Sequence, residues 1–222
     1  MRAALVLLAV LAGSTWAGAA TAPESAGWHS RGQALRGDVD GDGTRDTAVL
    51  QYRPHTCDFR LVVNKLTAPV RPTICKNKPA ELYAGPDPHV AVLADLDERP
   101  GLEVIVQLGR GAYMDFADIW AVRDGALRRF AGREPQLSYG ASVGTGGDVV
   151  DCARQRGVVL ISSQSYRAPA GLYRGWYRAR GLRLKLIRAR SIPWSAKRAV
   201  PFHEFREPQP FPTCAKARAQ RR

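Results

Sequence analysis

An all-β chain built from three antiparallel, propeller-blade-like repeat units is what this sequence predicts, and three observations carry that reading. Acidic or glycine-rich turns recur, with first aspartates at Asp38, Asp95 and Asp148, 57 and then 53 residues apart. Each turn is followed by a β-branched or apolar run, over 47–52, 104–108 and 158–161. No segment beyond the first twenty residues shows an apolar stripe at helical spacing. Short strands at a period near 50 residues are the mark of blade-like units. The units run roughly over 30–85, 86–138 and 139–192, within a β-repeat domain at 21–192. They are expected either to form an open arc, an incomplete propeller, or to curl into a compact sandwich or barrel.

In chain order, Met1-Arg2 precedes an apolar run over 3–12 and small residues through Ala20. A charged start, a short apolar core and an Ala17-Gly18-Ala19 ending describe a secretory signal peptide over 1–20. That run is short for a membrane span, and no later stretch of the sequence is longer. The expected product is therefore secreted or extracellular, free or associated with the cell wall. The formal net charge is +13, and +12 once Arg2 is removed with the leader. A basic exported protein attracts acidic cell-wall polymers or polysaccharides. Arginine far outnumbers lysine, however, a bias that genome composition alone produces, so charge by itself assigns no partner. Specific nucleic-acid binding is not expected.

The most informative stretch is Asp38-Val39-Asp40-Gly41-Asp42-Gly43-Thr44-Arg45-Asp46. Hard cations such as Ca2+ take six to eight oxygen ligands, and alternate residues of a tight loop can all face one ion. Asp38, Asp40, Asp42 and Asp46 would supply side chains and Thr44 its carbonyl, while Gly43 permits the turn. An EF-hand is excluded, because the twelfth position is Val49 and a strand, not a helix, follows. The competing reading makes the Asp-Gly steps plain turn formers. Four acids in nine residues then repel one another without a counter-ion.

Four cysteines in an exported chain, Cys57, Cys75, Cys152 and Cys214, imply two disulfides with three possible pairings. A Cys57–Cys75 bond would close a short loop around a strand pair at 58–66 and 70–74, stabilising by about 3 kcal/mol. Cys152–Cys214 would then tie down a proline-rich strap over 193–222 that ends in a basic tail.

The second acidic turn, 95–103, has acids at its first, third and ninth positions but Arg99 at the fifth. Arg99 is expected to replace a metal internally by pairing with Asp95, Asp97 or Glu103. Strands at 117–122 and 126–130 follow, joined by the hairpin signal Asp124-Gly125. The third turn keeps only Asp148 and has lost the site. Strands at 172–179 and 182–188 flank Arg180-Gly181, and Leu182, Leu184 and Leu186 alternate with Arg183 and Lys185 to bury one face.

Residues 37–50 resemble the calcium loop of FG-GAP/VCBS repeats, the blade unit of integrin-α-type propellers, and 139–149 resemble that repeat's lead-in. The chain is similar to small exported actinobacterial proteins of this type. The resemblance implies Ca2+ held by the Asp38, Asp40, Asp42 and Asp46 side chains and the Thr44 carbonyl. Family propellers have about seven blades, so three units leave the ring open.

No catalytic constellation stands out. His29, His55, His89 and His203 lack metal-site spacing, and Ser162, Ser163 and Ser165 lack a nucleophile turn. Met114, Phe116 and Trp120 read as core. Tyr166, Tyr173, Trp176 and Tyr177, interleaved with arginines, read as alternately buried sheet residues. The expected function is a non-catalytic, calcium-stabilised β-repeat module of the envelope or extracellular space, used for binding or adhesion, with Ca2+ structural. The alternatives are a secreted metal-dependent hydrolase or an electrostatic binder of acidic wall polymer.

Overall fold

The structure, a computed structural model, describes residues 27–54, 56–72, 88–110, 114–131, 137–142, 146–152, 157–165 and 171–193. The described residues contain strands and no helix, as the sequence predicts. The first unit is a four-stranded meander, β1 (His29–Gly37), β2 (Asp46–Tyr52), β3 (Phe59–Val63) and β4 (Leu66–Val70), in that spatial order. The second repeats it with β5 (His89–Ala94), β6 (Glu103–Arg110), β7 (Met114–Arg123) and β8 (Ala126–Arg129). A linking strand follows, β9 (Leu137–Ser142). The third meander is β10 (Gly146–Cys152), β11 (Val158–Ser165), β12 (Gly171–Ala179) and β13 (Leu184–Pro193). β9 pairs with the first half of β7, at Met114 to Ala117, while β8 pairs with the second half. Hydrogen bonding therefore runs without a break from β5 to β13, and neither sheet closes into a barrel.

Turn chemistry sets the strand ends. Asp124 and Gly125 take φ of 52° and 69°, the left-handed pair that a two-residue hairpin needs. Asn64, at φ 51°, holds the corresponding corner of the first unit. This corner corrects the expected partner strand: β3 ends at Val63 and pairs with Leu66–Val70, not with 70–74.

The third unit is also corrected. Asp148 is not in a turn; it lies within β10, paired with Ser163 and Gly140. The pairs that close the first hairpin of each unit are Gly37↔Asp46, Ala94↔Glu103 and Cys152↔Val159. The structural period is thus 57 residues from the first unit to the second, and 58 (Ala94 to Cys152) or 56 (Glu103 to Val159) from the second to the third; residues 153–156 lie outside the described residues.

Two apolar cores separate the three units. β6 reads as a continuous apolar run because both of its faces are covered. Val104, Val106 and Leu108 meet Leu50, Leu61 and Val63 of the first unit. Ile105 turns the other way, joining Ile119, Phe130 and Val159 against the third unit. Trp120 is core as expected, whereas Phe116 is only half-buried. The expected alternation of β13 holds for Leu182 and Leu184, which pack on the second core. Leu186 keeps the alternation but not the burial. Tyr177 pairs with Leu186 but Trp176 with Arg188, so Ile187 bulges out, and Leu186 and Ile187 are each 45% exposed.

The loops that follow β1 and β5 abut each other, and Gly157, just before β11, meets the second of them. A Cβ on Gly41 would fall 2.7 Å from Pro100, and one on Gly157 would fall 2.6 Å from Glu98 Cγ. At Gly101, φ is +97° and a Cβ would stand 2.5 Å from the Val39 carbonyl oxygen. Gly43 has similar left-handed backbone, φ +88°, but nothing within 4 Å. Gly101→Ala is expected to cost about 3 kcal/mol or more, since both strain and backbone overlap act. Gly43→Ala is expected to cost about 1 kcal/mol from strain alone. Urea unfolding of the two variants checks the difference; equal losses would mean that the loops do not press together.

Candidate metal centre

The first acidic loop is shaped by its own carboxylates. Asp46, 1% exposed, receives the Val39 N–H at 2.7 Å and the Asp40 N–H at 3.1 Å on Oδ2, and Asn64 Nδ2 on Oδ1. Those bonds tie the loop to its exit strand and hold Val39 in the first core. Asp38 accepts from Gly41 N (2.8 Å) and Gly43 N (3.2 Å), and Asp40 from Asp42 N (3.1 Å). Asp42 Oδ1 accepts from both the N–H (2.7 Å) and the hydroxyl (2.5 Å) of Thr44. The Thr44 hydroxyl, then its N–H, hold the Asp42 carboxyl below the usual carboxylate range. Successive Asx-type bonds of this kind wind the chain into a tight coil that turns the side chains at its first, third and fifth positions towards one another.

This winding gathers three of the expected ligands. Oxygens of Asp38, Asp40 and Asp42 all lie within 4.8 Å of one another. Oxygens bound at about 2.4 Å to one Ca2+ are at most about 4.8 Å apart, so the set fits a single hard cation. Asp38 is half-buried, and Asp40 and Asp42 are exposed. Among the described residues none of the three makes an ion pair. Asp46 stands apart from this cluster as the clamp at its foot.

The second loop is the same turn in different residues. Glu103 Oε2 takes the Leu96 N–H at 2.7 Å, as Asp46 takes that of Val39. Asp95 accepts from Glu98 N (3.2 Å) and Asp97 from Arg99 N (3.0 Å), matching the bonds of Asp38 and Asp40. Even the backbone agrees: Glu98, at φ 64°, sits where Gly41 has φ 84°. A non-glycine residue in that region is uncommon, and the copied loop geometry accounts for it.

The difference lies in the cation. Arg123, the last residue of β7, places Nη2 2.5 Å from Asp97 Oδ2 and 2.8 Å from Glu103 Oε1. The Asp97 and Glu103 side chains are only 2% and 0% exposed. Arg99 does pair with Asp97, as expected, but only at 4.0 Å and with its own side chain 57% exposed, so Arg123 is the main partner. At that exposure and distance the pair contributes little. At the place of Arg123 the first unit has Val63, just before the corner residue Asn64. An arginine ending a strand before an Asp-Gly turn was the available signal, but nothing in the sequence links it to a loop 20 residues upstream.

Cys57 is disulfide-bonded, and no described cysteine is free. Its partner is outside the described side chains, as are those of Cys75, Cys152 and Cys214. His29 is exposed and His89 half-buried on β5; His55 and His203 lie outside the described residues. Comparison with known proteins finds no matching family model, curated protein or solved structure.

Burial, then the neighbouring Asp97 charge, push the Glu103 carboxyl up to about 7, against the pull of the Leu96 N–H and Arg123. A carboxyl raised in the folded state binds its proton more tightly there than in the unfolded chain. Stability is then lost as pH climbs from the unfolded value near 4.5 towards 7, and is level above it. The loss at stake is roughly 3 kcal/mol. Glu103→Gln removes the titrating group, so its urea-unfolding stability should fall less between pH 5 and pH 7 than that of the parent. Identical slopes would show that Glu103 is ionised throughout that range.

Proposed function

We propose that this chain is an exported, non-catalytic, calcium-stabilised β-repeat module of the FG-GAP/VCBS kind, acting by binding at the cell envelope or outside the cell. One observation carries the reading. Two loops share one turn geometry and carboxylates at the first, third and ninth positions; a guanidinium neutralises the inner one, and no described cation neutralises the outer one. A divalent ion on Asp38, Asp40 and Asp42, with the Thr44 carbonyl adding to the oxygen set and Asp46 holding the loop in place beneath it, supplies the missing charge. The ion's part is structural: it offsets carboxylate repulsion and stiffens the turn that feeds β2. Export is supported by the leader-like first twenty residues.

Extracellular calcium sites bind with Kd near 10⁻⁴ M or weaker, so about 1 mM Ca2+ adds about 1.4 kcal/mol at most. For a chain of this size that is a rise in Tm of about 3–6 °C. Asp42→Ala should abolish the rise and leave the calcium-free Tm nearly unchanged, because Asp42 is exposed. Asp46→Ala should lower the calcium-free Tm as well, since it orphans the buried Val39 N–H and the Asn64 amide. Thermal melts with Ca2+ and with EDTA test both. A calcium shift that survives in Asp42→Ala overturns the assignment.

A further inference from the structure

The positive charge of this chain is not spread evenly. Gly171 to Pro193 holds seven arginines and lysines and no acid. The third unit's acids on described strands, Asp148 and Asp151, lie on β10, with Asp151 on the Trp176 face two strands away. The acidic turns and the buried acids Asp115 and Asp118 belong to the first two units. Register places most of these cations on one face. Arg178 pairs with Lys185, Trp176 with Arg188 and Arg174 with Arg190. Directly paired residues project to the same side of a sheet, and alternate residues share a face. Tyr177, on the opposite face, packs on the second core with Leu184, so the cationic face is the outer one, turned away from the rest of the protein.

Arg174, Arg178, Lys185, Arg188 and Arg190 thus form a grid, with about 5 Å between strands and about 7 Å between rows along each strand. No described carboxylate pairs with any of them, and Arg178 Nε is without an acceptor. Like charges on directly opposed residues destabilise a strand pair. Protection of an exposed edge explains charge on β13, which ends the sheet. It does not explain Arg174 and Arg178, which lie on β12, one strand in from the edge.

We propose that this outer face of β12 and β13 is a binding surface for a linear phosphodiester polymer without bases, a polyol phosphate. Four of the five cations are arginine, whose planar fork matches phosphate oxygens in pairs. The rows repeat along the strands, so an extended chain of regularly spaced anions meets a cation at each step. Single-stranded nucleic acid would also need free aromatic platforms. The one ring on this face is Trp176, and the Arg188 guanidinium already covers it at 5.1 Å. A second copy is disfavoured by charge, because the outer side of the first unit carries Arg53 and Arg60 stacked on Trp28. The inference rests on the reading of the chain as a binding module, and is independent of calcium.

The test measures binding of the full mature chain to purified poly(glycerol phosphate) at low and raised salt. Wild type should bind at low salt and release as salt rises. The triple variant Arg174→Gln/Arg188→Gln/Arg190→Gln should bind at least tenfold more weakly. Arg36→Gln/Arg45→Gln/Arg128→Gln removes the same charge from exposed sites elsewhere and should change affinity less than threefold. Equal losses in the two triples would overturn the proposal in favour of net charge. Tighter binding of a polyuronate or of single-stranded DNA would overturn the ligand class. Sedimentation that showed a dimer lost only in the first triple would assign the face to a second copy instead. Asp42→Ala should bind the polymer as wild type does; its melting shift reports on the calcium loop alone, so either reading can fail without the other.

Discussion

Each of the first two units depends on one carboxylate that reaches back across its loop to a backbone N–H. Asp46 takes the N–H of Val39, and Glu103 that of Leu96, both at 2.7 Å. The bond satisfies a donor that has left the sheet ladder yet remains buried, a group that would otherwise cost about 1–3 kcal/mol. It also fixes the direction of the residue that carries the N–H. Val39 is driven into the core between the first and second units, and Leu96 into the core between the second and third. The clamp therefore does two things at once: it seals an end of each apolar layer, and it turns the remaining acids of the loop towards the rim.

That arrangement explains which parts of the molecule were legible in the sequence. The clamp, the winding acids and the glycine of the first loop are local, within nine residues, so their spacing alone outlined the turn and the strand after it. The Asp124-Gly125 corner was legible for the same reason. Arg123 was not, because its partners come from a loop on another strand pair, and Arg99 occupied the obvious position in the chain. The third loop was misplaced because Gly146, Gly147 and Asp148 imitate the Gly-Asp-Val lead-in of the first loop, while pairing with β9 and β11 keeps them in a strand. Leu186 keeps the alternation, paired with Tyr177, but β13 ends the sheet, so its side chain stays 45% exposed; the bulge at Ile187 shifts the register only beyond it. β1 gave no apolar signal strong enough to mark it, whereas the apolar run Val90 to Ala94 in β5 was a legible strand signal.

The same layering accounts for the uneven surface. The second unit is covered on both faces and can be apolar on both, as β6 is. The first and third units each have one face with no unit beyond it among the described residues. Both answer with arginine and a tryptophan rather than with an apolar face: Arg53 and Arg60 at Trp28, and Arg188 at Trp176. A guanidinium over an indole covers apolar surface while keeping charge in water. A stack finished in this way resists further stacking, since two such ends meet as like charges.

Position in the stack also decides which cation each acidic loop can use. The second loop is wedged between its neighbours, with Pro100 against Gly41 and Glu98 against Gly157. Its central carboxylates are almost without exposure, and an ion arriving from solvent would have to shed its water to reach them. A covalently attached guanidinium needs no entry path and brings several donors in a fixed plane. The first loop is at the end of the row, with Asp40 and Asp42 open to solvent. There an exchangeable ion can enter and leave, and a side chain from the adjacent strand would gain little, because exposed pairs are weak. Replacing Arg123 by valine, as the first unit has at Val63, would leave two buried carboxylates uncompensated, a loss of about 3–5 kcal/mol. An arginine at Val63 would face the opposite problem: it would displace a residue that is 1% exposed in the first core, so the outer loop is left to recruit its charge from solution.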